Sequence, residues 1–167
     1  MLQILKFPND LLREQMPPFD FDNPPMDPVQ LEKDMLEAMY AGNGIGLAAN
    51  QVGIKARVFV MGSNQMPDNG MAFFNPVIEA TTEAIDEYEE GCLSFPGIYV
   101  PIKRPKAIKV RWQTSAGELQ TAELSGYECV CFLHEFDHLE GIVFKDRVST
   151  IKWALGIKKS QPKKKRK

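Results

Sequence analysis

The sequence predicts an α+β fold in which antiparallel β-sheets surround a central helix with the pattern HExxH, and a further helix lies near the N-terminus. Strand-like runs broken by Gly, Pro and Asn fill the middle of the chain, and residues at helical spacing lie before and after them. The 167 residues, 44% hydrophobic and 25% charged, have the composition of a globular protein with one core. No apolar run approaches the ~18 residues of a membrane span.

The N-terminal helix follows a polar loop rich in proline. Asp27 suits the N-cap and Pro28 suits the first helical position, where the missing N–H of proline costs nothing. Apolar residues then recur at helical spacing, at Leu31, Met35, Leu36 and Met39. Gly42 is expected to end this helix.

Four runs rich in β-branched and aromatic residues are predicted to be strands. They are Ala56–Met61, Ala72–Ile78, Ala107–Trp112 and Glu118–Leu124. The central helix is predicted to begin after Gly126 and to end near Leu139, shortly before a further glycine. We therefore predict one folded domain over residues 1–150 and a short basic tail over residues 151–167.

The only two histidines of the chain lie four residues apart, in the pattern HExxH. His134 and His138 fall on one face of a helix, so both imidazoles can bind a single metal ion. Glu135 is offset by about 100° around the helix, and from there it can reach a water beside the metal. Two unrelated core histidines would seldom fall in this pattern, and we interpret it as a metal site.

A catalytic metal site needs a third protein ligand, and no histidine remains. Cys129 points about 140° away from His134 around the helix. Cys131 shares the histidine face, but its short side chain leans towards the N-terminus, so we assign it to packing or to the wall of a pocket. Cys92, next to a glycine in a strand-like segment, is left. We predict Cys92, His134 and His138 as ligands, with water in the fourth position.

A glycine-rich segment, GIGLAANQ at residues 44–51, follows the first helix. Its GxGxxA pattern, with Asp68 about twenty residues later, also occurs at dinucleotide sites, but those patterns follow a strand and open a helix. We predict instead a thin loop that lets a substrate backbone come close, with Gln51 as a carboxamide donor. An amide that caps the loop is the second interpretation of Gln51.

Three motifs stand in order in this chain: GIGLAANQ at residues 44–51, EGCLS at 90–94 and HEFDH at 134–138. They resemble the motifs GxGLAAxQ, EGCLS and HExDH of the peptide deformylase family, and the resemblance extends over residues 3–150. Members of that family are mononuclear metal hydrolases of α+β fold. They remove the formyl group from the N-terminal formyl-methionine of newly synthesised polypeptides and release formate. The resemblance implies this fold and this activity.

The resemblance also implies roles for individual residues. The three metal ligands predicted above would hold Fe(II), with Zn, Ni or Co able to occupy the same site, whereas the ligand chemistry alone selects none of these metals. Glu135 would be the general acid and base, and Gln51 with the backbone N–H of Leu93 would stabilise the oxyanion. The methionine pocket would be formed by residues in and around the motifs, at Ile45, Gly46, Glu90, Tyr127, Val130 and Cys131.

The formal charge of −2 is unevenly distributed, because eight of the 20 Lys and Arg residues lie in residues 152–167, which contain no acid. This tail is a candidate arm for RNA, here for contact with the ribosome, and a solvated terminus is the second interpretation. The partners implied are N-formylmethionyl nascent peptides, and neither DNA nor a membrane. Three cysteines and no signal-like start predict a cytoplasmic protein with reduced thiols, in a bacterium or in the bacterial host of a virus.

Two other functions share some of these features. A zinc endopeptidase would also carry HExxH, but no typical third ligand follows the motif, and the small chain leaves little room for an extended peptide cleft. An RNA-binding adaptor could use the cluster as a structural metal site. Such a site needs four protein ligands, and only three are found.

Overall fold

Over residues 2–63 and 65–161, which the computed structural model describes, the chain forms two antiparallel β-sheets and three α-helices. The helices are α1 (Pro28–Ala41), α2 (Gly126–Leu139) and α3 (Thr150–Ser160). The strands are β1 (Gly46–Ala48), β2 (Val58–Ser63), β3 (Met66–Thr81), β4 (Ile85–Cys92), β5 (Phe95–Pro105), β6 (Ala107–Gln113) and β7 (Leu119–Ser125). Short 3₁₀ turns cover Asp10–Arg13, Ala49–Val52 and Phe144–Arg147.

The larger sheet has five strands in the order β1-β2-β3-β6-β7. Its short edge strand β1 pairs with β2 from Gly46 opposite Met61 to Ala48 opposite Phe59. The strands β4 and β5 form a separate two-stranded sheet. The chain therefore leaves the larger sheet after β3, builds the β4–β5 hairpin, and returns to it with β6.

The helix α1 covers one face of the larger sheet. Asp27 caps it by accepting hydrogen bonds from the backbone N–H groups of Val29 and Gln30, at 2.9 and 3.0 Å. Its apolar side and the strand residues that point to the same face form one buried cluster, which includes Leu31, Met35, Met39, Val58, Val60 and Phe74. Burial of this cluster is what holds α1 in place.

The helix α2 covers the opposite face, because successive residues of a strand point to opposite sides of a sheet. Phe59 and Phe73 therefore face away from α1, and their rings lie 5.0 and 5.5 Å from that of Phe132. These contacts fix the helix that carries HExxH against a rigid sheet.

A third cluster joins the hairpin of β4 and β5 to both ends of the chain. Its buried members are Leu12, Phe95, Val100, Ile102, Val143 and Phe144. Trp153 of α3 packs against this cluster. The C-terminal helix therefore belongs to the same folded body as the hairpin.

Both predicted helices are present with the expected ends, and the four predicted strands correspond to β2, β3, β6 and β7. The sequence patterns missed β1 and β5, and of β4 they indicated only the strand-like segment at Cys92. Acidic residues crowd β4 and prolines interrupt β5, and both features are unusual within strands. Residues 151–160, expected within the basic tail, lie in α3, and residues 162–167 of that tail lie outside the described residues. No helix in the described ranges has the length and apolar character needed to cross a membrane.

Candidate active site

The HExxH pattern occupies the second half of α2, where both histidines face one side of the helix. The ring centroids of His134 and His138 are 5.1 Å apart. Cys92, at the end of β4, meets them, and one ligand atom from each of the three residues lies within 4.8 Å of the others. Sγ of Cys92 is 3.3 Å from Nε2 of His138. The fold thus brings together the three residues predicted to bind a metal.

The turn between β4 and β5 carries Cys92 to the helix, and the N-terminal segment holds this turn. Nζ of Lys6 donates a hydrogen bond to the carbonyl oxygen of Leu93 at 2.7 Å. The backbone N–H of Phe7 donates to the carbonyl oxygen of Ser94 at 3.0 Å. Two bonds from one segment therefore restrain the residues that directly follow the thiol.

A buried network of charges lies behind His134. Nδ1 of His134 is 2.8 Å from Oε2 of Glu90, which leaves Nε2 for the metal side. Arg104 donates to both oxygens of Glu90, at 2.7 and 3.0 Å, and to Oδ2 of Asp137 at 2.8 Å. Burial raises the pKa of Glu90, but the hydrogen bonds from His134 and Arg104 outweigh it and hold that pKa below its usual value. Glu90 is therefore an anion that orients the histidine ring.

His138 is almost completely buried, and its position is fixed through its backbone. Nδ2 of Asn50 donates to the carbonyl oxygen of His138 at 2.8 Å. Nδ1 of His138 has no hydrogen-bond partner in the described part of the chain. Burial, together with the charges of His134 and Arg104, lowers the pKa of His138 well below its usual value. The ring is therefore neutral, the form in which histidine binds metals.

Glu135 lies beside the ligands and lines the same cleft. Its Oε2 is buried without a hydrogen-bond partner among the described residues. The strand β1 comes so close that a Cβ at Gly46 would collide with the Glu135 carboxylate and lie 2.9 Å from Sγ of Cys131. Burial raises the pKa of Glu135 to about 7, against the lowering effect of His134. A carboxyl group with this pKa can accept and return a proton near neutral pH.

Gln51 lies in the 3₁₀ turn that follows β1. Its Oε1 accepts a hydrogen bond from the backbone N–H of Ala48 at 2.8 Å. Its Nε2 donates to Oγ of Ser94 at 3.1 Å and lies 3.5 Å from Sγ of Cys92. The carbonyl end of the amide therefore caps the turn, as the second interpretation of Gln51 expects. The NH₂ end faces the thiol of Cys92, where the first interpretation expects a donor.

A cleft of about 540 Å³ opens above these groups. Its walls contain all six residues predicted for the methionine pocket, together with Gln51, Leu93 and Glu135. Within these walls Sγ of Cys131 donates to the carbonyl oxygen of Ile45 at 3.4 Å, and burial raises the pKa of Cys131 well above its usual value. Cys131 is thus a neutral thiol in the wall. Tyr127 is 72% exposed at the rim, where its ring meets that of Tyr88.

Cys129 lies on the other side of α2, in the core between this helix and the larger sheet. Three residues of the site carry no role in the sequence analysis: Arg104, Asp137 and Asn50. Asp137 lies within HEFDH and Asn50 precedes Gln51, so the motifs contained a signal for both. Arg104 lies outside the three motifs, and only the fold brings it against Glu90.

The residues of this site fit a transition-metal ion. One thiol and two imidazoles are the ligand types that Fe(II), Zn, Ni and Co accept. A histidine oriented by a carboxylate is the usual arrangement behind a metal ligand, and Glu90 supplies it. The unpartnered Oε2 of Glu135 lies in a buried site that offers it no protein donor among the described residues. An α+β fold with such a centre at the bottom of a cleft defines a metal-dependent hydrolase.

Comparison with known proteins identifies which kind of hydrolase this is. The family model described as polypeptide deformylase matches residues 1–153. A peptide deformylase of Thermotoga petrophila is 44% identical over 163 residues, which cover 95% of this chain and 94% of the relative. The chain belongs to the polypeptide deformylase family, whose activity is the metal-dependent removal of the N-formyl group.

Solved structures show the same fold. The peptide deformylase of Thermotoga maritima superposes with a TM-score of 0.80 at 41% sequence identity, covering 89% of this chain and 98% of that one. A deformylase of Acinetobacter baumannii with Met-Ala-Ser bound superposes with a TM-score of 0.80 at 30% identity, covering 89% of this chain and 98% of that one. The observed sheets and helices are therefore those of the family.

Proposed function

We propose that Cys92, His134 and His138 hold one divalent metal ion, which is Fe(II), and that Zn, Ni or Co can occupy the same place. The observation that carries this proposal is the convergence of the three ligand atoms to within 4.8 Å in a buried site. The preference for Fe(II) rests on the family resemblance, because the ligand types suit all four metals.

The residues around this centre account for the hydrolysis of a formyl amide. A bound ion would supply Lewis-acid activation of water and of the formyl oxygen. Glu135 accepts the proton of the attacking water and returns it to the nitrogen of the leaving amine. The C–N bond of the formamide breaks, and formate and a free N-terminus are released. The buried carboxyl group with a pKa of about 7 supports this role.

Gln51 and Leu93 are the proposed oxyanion donors. Nε2 of Gln51 faces the thiol of Cys92, and Oε1 is held by the N–H of Ala48, so the amide cannot turn over without loss of a hydrogen bond. The backbone N–H of Leu93 belongs to the residue that follows the thiol, and Leu93 lines the cleft. Donors fixed in this way stabilise charge as it develops on the formyl oxygen.

The proposed substrates are N-formylmethionyl nascent peptides. The methionine side chain would occupy the pocket formed by Ile45, Gly46, Glu90, Tyr127, Val130 and Cys131, all of which line the cleft. The relative with Met-Ala-Ser bound supports a peptide that begins with methionine. Glu90 lies in this wall with its carboxylate turned to His134 and Arg104, and the apolar members of the pocket would contribute about 1–3 kcal/mol to selectivity.

We place this activity in the cytoplasm, with the basic end of the chain in contact with the ribosome. Lys158 and Lys159 form the last turn of α3, and five further basic residues lie at 163–167, outside the described residues. Such a cluster attracts the phosphates of RNA.

Formate release from formyl-Met-Ala-Ser tests the proposed chemistry. The protein is prepared without oxygen, stripped of metal and refilled separately with Fe(II), Ni, Co and Zn. We expect formate release only from refilled protein. The matched peptide acetyl-Met-Ala-Ser, followed by the appearance of its free amine, should stay uncleaved. The absence of formate with all four metals would contradict the proposal.

A further inference from the structure

The C-terminal helix α3 lies against one wall of the cleft. Its buried residue Gly156 faces β5, and a Cβ at this position would lie 2.5 Å from Cγ1 of Val100 and 3.1 Å from the carbonyl oxygen of Tyr99. Tyr99 itself lines the cleft. Only a glycine allows the helix to pack this closely. The helix α3 therefore supports a strand of the active-site cleft.

Trp153 extends this support into the site. Its ring meets those of Phe95 and Phe144 edge-on, with centroids 5.6 and 5.5 Å away. Phe95 lines the cleft, and the ring of the buried Phe144 lies 5.8 Å from that of His134. One side chain therefore separates Trp153 from a proposed metal ligand. We call Trp153, Phe144 and Phe95 the aromatic bridge.

Two interactions hold Trp153 at the start of α3. Nζ of Lys145 lies 5.6 Å from the centroid of the indole ring, within the range of a cation–π contact. Oγ of Ser149 accepts a hydrogen bond from the N–H of Lys152 and caps the helix. The indole is thus placed by the 3₁₀ turn before the helix and by the helix itself.

We propose that Trp153 is a positioning residue, which acts through Phe144 on His134 and through Phe95 on the cleft wall. This inference rests on the proposed function, because it takes His134 as a metal ligand. Glu90 holds the His134 ring at Nδ1, and Cys92 is the second hydrogen-bond partner of the ring. Rotation of the ring about the line between these two contacts is left to its packing. Phe144 and His138 supply that packing, and loss of the indole leaves a space into which Phe144 can move.

The test uses the full chain loaded with cobalt(II), whose visible absorption reports ligand geometry. The variants are Trp153→Leu and the conservative Trp153→Phe. Leu155→Ala is the matched control, since Leu155 lies on the same helix and is 53% exposed. Each protein is measured for its absorption spectrum, its rate of cobalt transfer to a chelator, its kcat and KM for formyl-Met-Ala-Ser, and its unfolding by urea.

We expect Trp153→Leu to transfer cobalt about tenfold faster, the size of effect seen for groups behind a metal ligand. Its absorption bands shift and its KM rises, because both the ligand and the Phe95 wall move. Trp153→Phe and Leu155→Ala should both show the wild-type absorption spectrum, cobalt transfer rate and KM. A purely structural role would change the unfolding midpoint and leave the spectrum unchanged.

A folded Trp153→Leu protein with the wild-type spectrum and transfer rate would overturn the inference, and the proposed metal site would stand if the wild type binds one cobalt ion. A wild-type chain that binds no cobalt would overturn both. Should Trp153→Leu fail to fold, Gly156→Ala takes its place with the same expected outcomes, since it moves α3 away from β5 and keeps every residue of the aromatic bridge.

Discussion

The two sides of α2 differ in chemistry but hardly in burial. The side that meets the larger sheet carries Cys129 and Phe132, and the side that meets the cleft carries His134, Glu135 and His138; all five residues are at most 8% exposed. Exposure therefore does not distinguish the functional side. Hydrogen bonding distinguishes the two sides. On the cleft side, Oε2 of Glu135 and Nδ1 of His138 are buried without hydrogen-bond partners in the described part of the chain.

One side of α2 stabilises the fold, and the other side carries the groups proposed to react. Buried polar atoms without partners destabilise a fold. The apolar contacts of Phe132 with Phe59 and Phe73 on the other side offset this cost. We therefore expect substitutions on the cleft side to change chemistry with little loss of stability, and substitutions on the sheet side to do the reverse.

The largest effect is expected where Cys92 meets the cleft side. Cys92→Ser replaces a thiolate by a hydroxyl that is a poor ligand, and the protein should lose its metal and with it all formate release. Cys129→Ser is the matched control, because its new hydroxyl can donate to the carbonyl oxygen of Pro105, as the thiol does at 3.4 Å. Atomic absorption measures the metal content of both variants. Loss of metal from Cys129→Ser alone would show that Cys129, and not Cys92, is the thiol ligand.

Glu135→Gln should lower kcat by about 10²–10⁴-fold, the usual contribution of a general acid and base. The amide keeps the volume of the carboxyl group, so metal content should stay at the wild-type value. The free energy of unfolding should not fall, because the variant no longer buries an ionisable carboxyl group whose pKa burial raises. Steady-state formate assays with metal analysis test this. Turnover close to that of the wild type would remove Glu135 from the mechanism.

Phe132→Ala tests the other side of the helix. Removal of a fully buried ring that contacts the rings of Phe59, Phe73 and Phe136 should lower the free energy of unfolding by about 3–5 kcal/mol. Urea denaturation measures this loss. The kcat of the protein that remains folded should be unchanged, and a parallel loss of kcat would show that the two sides are coupled.

Gln51→Ala should raise the activation free energy by about 2.7–4 kcal/mol, by analogy with other oxyanion donors. The hydrogen bond to Ala48 is lost as well, so a modest loss of stability should accompany it. The measurements are kcat at saturating substrate and metal content. A change in metal content without a change in kcat per metal would exclude the donor role.

Helix ends were predicted correctly, because the residues that cap a helix lie next to it in the sequence. The ends of α1 follow from Asp27, Pro28 and Gly42, and those of α2 from glycines at its two ends. The hairpin of β4 and β5 was not predicted as a pair of strands, because acidic residues crowd β4 and prolines interrupt β5. The helix α3 escaped because its lysines indicate a solvated tail, whereas Trp153 and Gly156 pack it onto β5.

The candidate site divides in the same way. The histidine pair is visible in the spacing of HExxH, and Cys92 follows by exclusion of the other thiols. The support behind them is not visible, since Glu90 and Arg104 lie 14 residues apart and meet only through the pairing of β4 with β5. Pairing across a hairpin depends on register, which no short motif encodes.

The close approach of β1 to α2 limits how this enzyme can vary. A Cβ at position 46 would meet the carboxylate of Glu135, so any replacement of this glycine must displace the proposed general acid and base. The side chain of the neighbouring Ile45, which also lines the cleft, is 55% exposed and can change size without meeting Glu135. Altered specificity, or resistance to molecules that bind in the cleft, is therefore expected to arise along this wall by substitution at residue 45 and not at the adjacent Gly46.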